Sequence, residues 1–170
     1  MTVFTGKSVY DAAVCGLICI LRKPKLSAER MHVDDISTEL KRVEAARIVA
    51  AEQLQQLYEL FLDKIGESNA QIFNIHMMML EDEDYNGSIE GMIRSEQVNA
   101  EYAVARTSDV FAQMLEAMDN EYMRARSADV RDVSNRLLSI LTDTPMDFPW
   151  VPENSVAVSY THLRAHETVL

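Results

Sequence analysis

Residues 34–66 read DDISTELKRVEAARIVAAEQLQQLYELFLDKIG, and this stretch decides the fold class. Ile36, Leu40, Val43, Ala50, Leu54, Leu57 and Phe61 recur at steps of three or four residues, or sums of them. That spacing lines one face of a long amphipathic helix. Asp34 or Asp35 supplies the N-cap, because a short carboxylate accepts from the free N–H groups of a first turn. Gly66 supplies the stop, since a helix readily ends on a glycine in the left-handed region. Arg47 and Lys64 interrupt the stripe; their long stems lie along apolar surface while their charges reach water.

Helical periodicity continues C-terminally over about 70–80, 84–95, 98–118 and 121–141. Ile89, Met92 and Ile93 are the core candidates of the third helix. Ala103, Val110, Phe111, Met114 and Met118 serve the fourth, and Tyr122, Val130, Val133, Leu137 and Leu141 the fifth. The connections are short, so neighbouring helices are expected to pack antiparallel. Within this run, residues 76–84 read HMMMLEDED. Consecutive apolar residues turn by about 100° each, so four in a row cannot all face one core. A helix ends near Leu80, the chain bends, and Asp82 caps the next helix, whose N-terminal dipole favours the acids. At least one methionine is left without a core position, and methionine is an adaptable interface residue.

Residues 8–21, SVYDAAVCGLICIL, predict one or two short strands, and RKPK at 22–25 a turn. Beyond Leu141 the run TDTPMDFPWVPENS holds three of the four prolines and reads as an extended linker, with VAV at 156–158 beginning a strand. The expected organisation is a strand segment over 1–32, a helical unit over 33–142, and a linker with the start of a strand over 143–157. The fold is mainly α: an antiparallel helical bundle with short β pieces at both ends, as for an insertion into an α/β domain.

The chain has 170 residues, is 48% hydrophobic and 25% charged, and carries a formal net charge of -11. Such acidity argues against nucleic acid and anionic membrane, and for a basic partner or simple solubility. The longest apolar run, AAVCGLICIL at 12–21, is too short to span a bilayer. It lacks the flanks of a signal peptide, which points to the cytoplasm. Cys15 and Cys19 are read as buried thiols rather than a zinc site, having no nearby histidine.

VSYTHLRAHET at 158–168 resembles the translation of a transposase-type sequencing adaptor, continuously over the whole stretch. Residues 158–170 are therefore set aside from fold reasoning as an adaptor-derived tail. His162 and His166 go with it and are not taken as metal ligands.

AQIFNIHMMMLEDEDY at 70–85, NEYMRARSADVRDVSNRLLSIL at 120–141 and DDISTELKRVEAA at 34–46 together resemble Enzyme I of the bacterial phosphoenolpyruvate-dependent sugar phosphotransferase system. The resemblance covers roughly residues 5–157. It implies an α/β phosphohistidine domain carrying a helical insert that docks the small phosphocarrier protein HPr. It implies phosphoryl transfer from phosphoenolpyruvate through a histidine to HPr in sugar uptake. Magnesium and a homodimer formed through a C-terminal domain belong to the full-length family member. The phospho-accepting histidine is expected in a Gly-rich motif beyond this chain. His32 reads as an exposed turn residue and His76 as a packed or interface histidine. The chain alone is then catalytically inactive, with no cofactor or metal of its own.

Carried over position by position, the docking surface falls on Glu67, His76, Met78, Met79, Glu83, Asp84 and Tyr85, with Arg126 nearby. An apolar centre with a charged rim is ordinary interface anatomy. Ser68 and Asn69 depart from the acid and lysine common there. Tyr85 replaces the usual leucine; it keeps apolar area and adds a hydroxyl that needs a partner or water. Asp129 and Arg131, in the ADVRD motif, are assigned to bracing the last helix. The competing reading is a non-catalytic helical interaction scaffold.

Overall fold

The computed structural model describes residues 17–21, 26, 28–144 and 155–159, with side chains left aside at 19–21, 63–65, 155 and 157–159. The predicted strand over 8–16, Cys15, the turn at 22–25, the side chain of Lys64, the linker over 145–154 and the tail from 160 onward lie outside the described residues.

Two compact units are present, one of residues 1–24 and 147–170, the other of residues 25–146. In the first, β1 (Leu17–Leu21) pairs in parallel with β2 (Ser155–Ser159), Leu17 opposite Ser155 and Leu21 opposite Ser159. β2 thus runs across the boundary drawn at 157, and Val158 and Ser159 take part in the ladder.

The second unit is a bundle of five helices: α1 (Ile36–Ile65), α2 (Glu67–Leu80), α3 (Glu83–Glu96), α4 (Ala100–Glu116) and α5 (Glu121–Leu141). Each boundary has a local cause. Asp35 caps α1, accepting from the Thr38 backbone N–H at 3.0 Å and from its hydroxyl at 2.6 Å. Gly66 alone joins α1 to α2, at φ 79° and ψ 160°. That region of backbone space is essentially restricted to glycine. Asp82 caps α3 through the Tyr85 N–H at 2.8 Å. Asn120 caps α5 through the Tyr122 N–H at 2.9 Å.

α4 begins two residues later than its periodicity suggests. Residues 97–99 are occupied otherwise: His32 and Val98 form an antiparallel bridge, and Val33 N–H donates to the Gln97 carbonyl at 2.9 Å. His32 is exposed, as expected of it.

The core runs along the bundle through Val43, Ala46, Ala50 and Leu54 of α1, Ile89 and Ile93 of α3, Val104 of α4, and Val133 and Leu137 of α5. α4 lies close against α5, and the two helices bury many small residues: Ala100, Ala103, Ser108, Ala112, Ser127 and Ser134. Phe61 and Phe73 stack at 5.7 Å where α1 and α2 pack together. Three predicted core positions are corrected. Val110, Met114 and Tyr122 are about half exposed or more, and α4 buries Val104, Ala112 and Leu115 instead. Much of the buried face of α4 is made of small residues, which a search for large apolar side chains overlooks.

Candidate functional site

The bend between α2 and α3 organises the candidate site. The carbonyl of Leu80, at the end of α2, accepts from Arg47 Nε of α1 at 3.1 Å and from Asn86 Nδ2 of α3 at 2.9 Å. A helix C-terminus leaves such carbonyls unpaired, and these two donors fix the direction in which the chain turns. Asp82 then caps α3, so Glu83 and Asp84 stand exposed on its first turn, where the helix dipole stabilises them.

The three methionines separate by helix phase. Met77 and Met79 pack against the core, whereas Met78 is 71% exposed. Met79 also lines a cleft of about 120 Å³ together with Asp82, Tyr85, Phe111, Met114 and Leu115. Its walls are nearly all apolar and Asp82 stands at its polar edge. Val110 and Met114, exposed on α4, extend the apolar surface. They were read from the sequence as core, so α4's share of the site was missed. The signal was present as an apolar stripe, over 110, 111, 114, 115 and 118, too wide for one buried face.

Tyr85 is placed differently from the surface role that the resemblance implies. It is 4% exposed. Its ring meets Phe111 edge-on at 5.5 Å, and its hydroxyl lies 2.7 Å from Ser134 Oγ. Ser134 in turn donates to the Val130 carbonyl, so Tyr85 donates to Ser134. Burial pushes the phenol up to about 12, against the opposing effect of the Ser134 hydrogen bond. Tyr85 forms a wall of the cleft and a brace between α3 and α5, not a rim contact.

Arg126 and His76 meet at Asp129. Arg126 Nη1 donates to Asp129 Oδ2 at 2.9 Å, and Nη2 donates to the Tyr122 hydroxyl. The guanidinium also lies 4.6 Å over the Tyr122 ring, a cation–π arrangement. His76 is largely covered; its Nε2 is buried without a hydrogen bond and stands 3.5 Å from Asp129 Oδ1. Asp129 therefore joins α2 to α5. Arg131 pairs with Glu116 of α4 at 2.7 Å and holds that carboxyl below its ordinary range. Glu67 is exposed at the other end of α2. The eleven residues from Glu67 to Met78 span about 16 Å of helix, so Glu67 stands apart from the cluster at the bend. Among the described residues no three His, Cys, Asp or Glu side chains converge as a metal site. No helix among them is long and apolar enough to cross a membrane.

The model of one protein family, described as PEP-utilising enzyme, N-terminal, matches residues 5–126. The chain belongs to this family. Within the PEP-utilising family it is 37% identical to the phosphoenolpyruvate-protein phosphotransferase of Listeria monocytogenes, over 96% of this chain and 28% of the relative. It is 39% identical to the protein of the same name from Geobacillus stearothermophilus, over 95% of this chain and 29% of the relative. The chain thus spans under a third of the length of these relatives. An NMR solution structure of an Enzyme I protein superposes with a TM-score of 0.73 at 25% identity, covering 86% of this chain and 60% of that one. An N-terminal domain of the nitrogen-type Enzyme 1 shares the fold, with a TM-score of 0.68 at 22% identity, covering 83% and 58%.

Proposed function

We propose that this chain supplies the docking platform of a phosphoenolpyruvate-protein phosphotransferase, and that the carrier HPr binds at the α2–α3 bend. The observation that carries the reading is Met78, 71% exposed, on the last turn of α2, next in sequence to Met79 of the apolar cleft and just before the acids of the bend. Exposed apolar side chains gathered around a groove mark interaction surfaces, and Met114, 51% exposed, lines this one from α4. The rim of Asp82, Glu83 and Asp84 suits a basic partner and raises its encounter rate.

In this reading the helices position the acceptor for phosphoryl transfer and do none of the chemistry. The phospho-accepting histidine, the magnesium ion and the homodimer contact of the whole enzyme are assigned to parts outside these helices, and the setting is the cytoplasm. His76 supports that division. Its buried Nε2, facing Asp129, is closed to a phosphoryl donor. Glu67, His76, Met78, Met79, Glu83, Asp84 and Arg126 remain the proposed contacts, joined by Val110 and Met114. Tyr85 is a supporting wall.

Titration of the isotope-labelled chain with HPr tests this directly. Shifts are expected to cluster on 76–85 and 110–115 and to weaken with added salt. Met78→Asp, at an exposed site where the fold tolerates charge, is expected to lower affinity on the order of tenfold or more. An unperturbed spectrum would favour the non-catalytic scaffold.

A further inference from the structure

Ten methionines stand among 170 residues, and those described fall into two classes. Met77, Met79, Met92, Met118 and Met123 pack against the core. Met78 is 71% exposed, Met31 56% and Met114 51%. Two of these three exposed thioethers belong to the docking surface: Met78 adjoins Met79 on α2, and Met114 lines the cleft from α4. A leucine would present similar apolar area at either position. What methionine adds is an accessible sulfur that reacts with peroxides.

We propose that Met78 and Met114 form an oxidative modification site whose reagent is hydrogen peroxide, and that their conversion to sulfoxide turns partner docking down. The proposal rests on the docking reading above. The sulfur lone pair attacks one peroxide oxygen; the O–O bond breaks and an S–O bond forms. The sulfur loses two electrons; the second oxygen takes them, receives the proton of the transferred oxygen and leaves as water. The product places a polar, acceptor-only group in the apolar centre of the surface. Burying such a group without a donor is unfavourable. Asp82, Glu83 and Asp84 at the rim are ionised acceptors and donate nothing to it. Sulfoxide reductases reverse the change, so the site acts as a switch rather than as damage.

Met31 provides an internal control. Its backbone N–H donates to the Asn99 side chain just before α4. The fifteen residues from Asn99 to Met114 place it about 22 Å from the site along that helix.

The test treats the full chain with peroxide, maps sulfoxides by peptide mass spectrometry, and measures HPr affinity by calorimetry before and after. Met31, Met78 and Met114 are expected to oxidise ahead of the five packed methionines. Affinity is expected to fall on the order of tenfold and to return after sulfoxide reductase. Prior HPr binding should shield Met78 and Met114 but not Met31. Met31→Leu should lose affinity on oxidation like the parent. The Met78→Leu, Met114→Leu double variant, compared only with itself before and after treatment, should not. Oxidation of both sites with unchanged affinity, or an equal loss in the double variant, overturns the proposal. Failure of the untreated chain to bind HPr overturns the docking reading, and this one with it.

Discussion

Glu39, in the first turn of α1, caps α4: its Oε2 accepts from the Ala100 backbone N–H at 2.8 Å. The residue that should perform this task locally, Asn99, makes no capping bond. Its amide instead accepts from the Met31 N–H and donates to Glu101. Arg42 completes the cluster by donating to Glu39, to Glu101 and to the Leu141 carbonyl. Glu39→Ala leaves a buried N–H without an acceptor, which should lower stability by about 2–3 kcal/mol in urea unfolding. Glu39→Gln keeps an acceptor and should lose only about 1 kcal/mol. Equal midpoints for parent and alanine variant would show the cap to be dispensable.

The same cluster sets a response to acid. Burial by itself raises the Glu101 carboxyl, but hydrogen bonds from Arg42, its own backbone N–H and Asn99, together with the charge of Arg42, outweigh it and hold the group below its ordinary range. A carboxyl depressed in the folded state contributes stability above its unfolded pKa, and that contribution is lost as pH falls through the folded value. Thermal midpoints should therefore decline below about pH 4.5, and Glu101→Gln should flatten that decline while lowering the midpoint at neutral pH. An unchanged acid slope in Glu101→Gln would remove this carboxyl from the account.

Gly66 and Gly87 should respond oppositely to alanine. An added Cβ meets nothing within 4 Å at either site, so backbone conformation alone decides. At Gly66, φ 79° makes alanine strained by about 1–3 kcal/mol. Gly87 lies within α3, where alanine should add about 0.5–1 kcal/mol of stability. Denaturant midpoints moving in the same direction for both would contradict the argument.

Tyr85→Phe removes the hydroxyl that reaches Ser134 while leaving the edge-on contact with Phe111. Ser134 keeps its own bond to the Val130 carbonyl. The loss should be modest, about 0.5–1.5 kcal/mol, and near-ultraviolet dichroism should show the packing preserved. A loss several times larger would mean that the hydroxyl pair does more than tie α3 to α5.

Helix boundaries were legible because their causes are local: Asp35, Gly66, Asp82 and the break after Leu141 are read from adjacent residues. The bend at HMMMLEDED was legible for the same reason. The phase of α4 was not. Val110 and Met114 carry the hydropathy of core residues, while Ala112 and Ser108, which are buried, do not. Nor does any local pattern announce that Glu39 serves Ala100, or that the Tyr85 hydroxyl finds Ser134. These pairs lie 61 and 49 residues apart, and only the folded chain brings them together. The burial of Tyr85 was not legible because the residue was judged by position in the motif, whereas its side-chain direction is set by the phase of α3 that the Asp82 cap fixes.

The hydrogen bond from Arg42 to the carbonyl of Leu141 brings the first turns of α1 to the last turn of α5. The bundle therefore receives the chain and returns it at one end. A unit of this kind can be spliced into a host polypeptide with little disturbance, because the host's two cut ends need not be carried apart. Arg42 marks the place where that entrance and that exit meet.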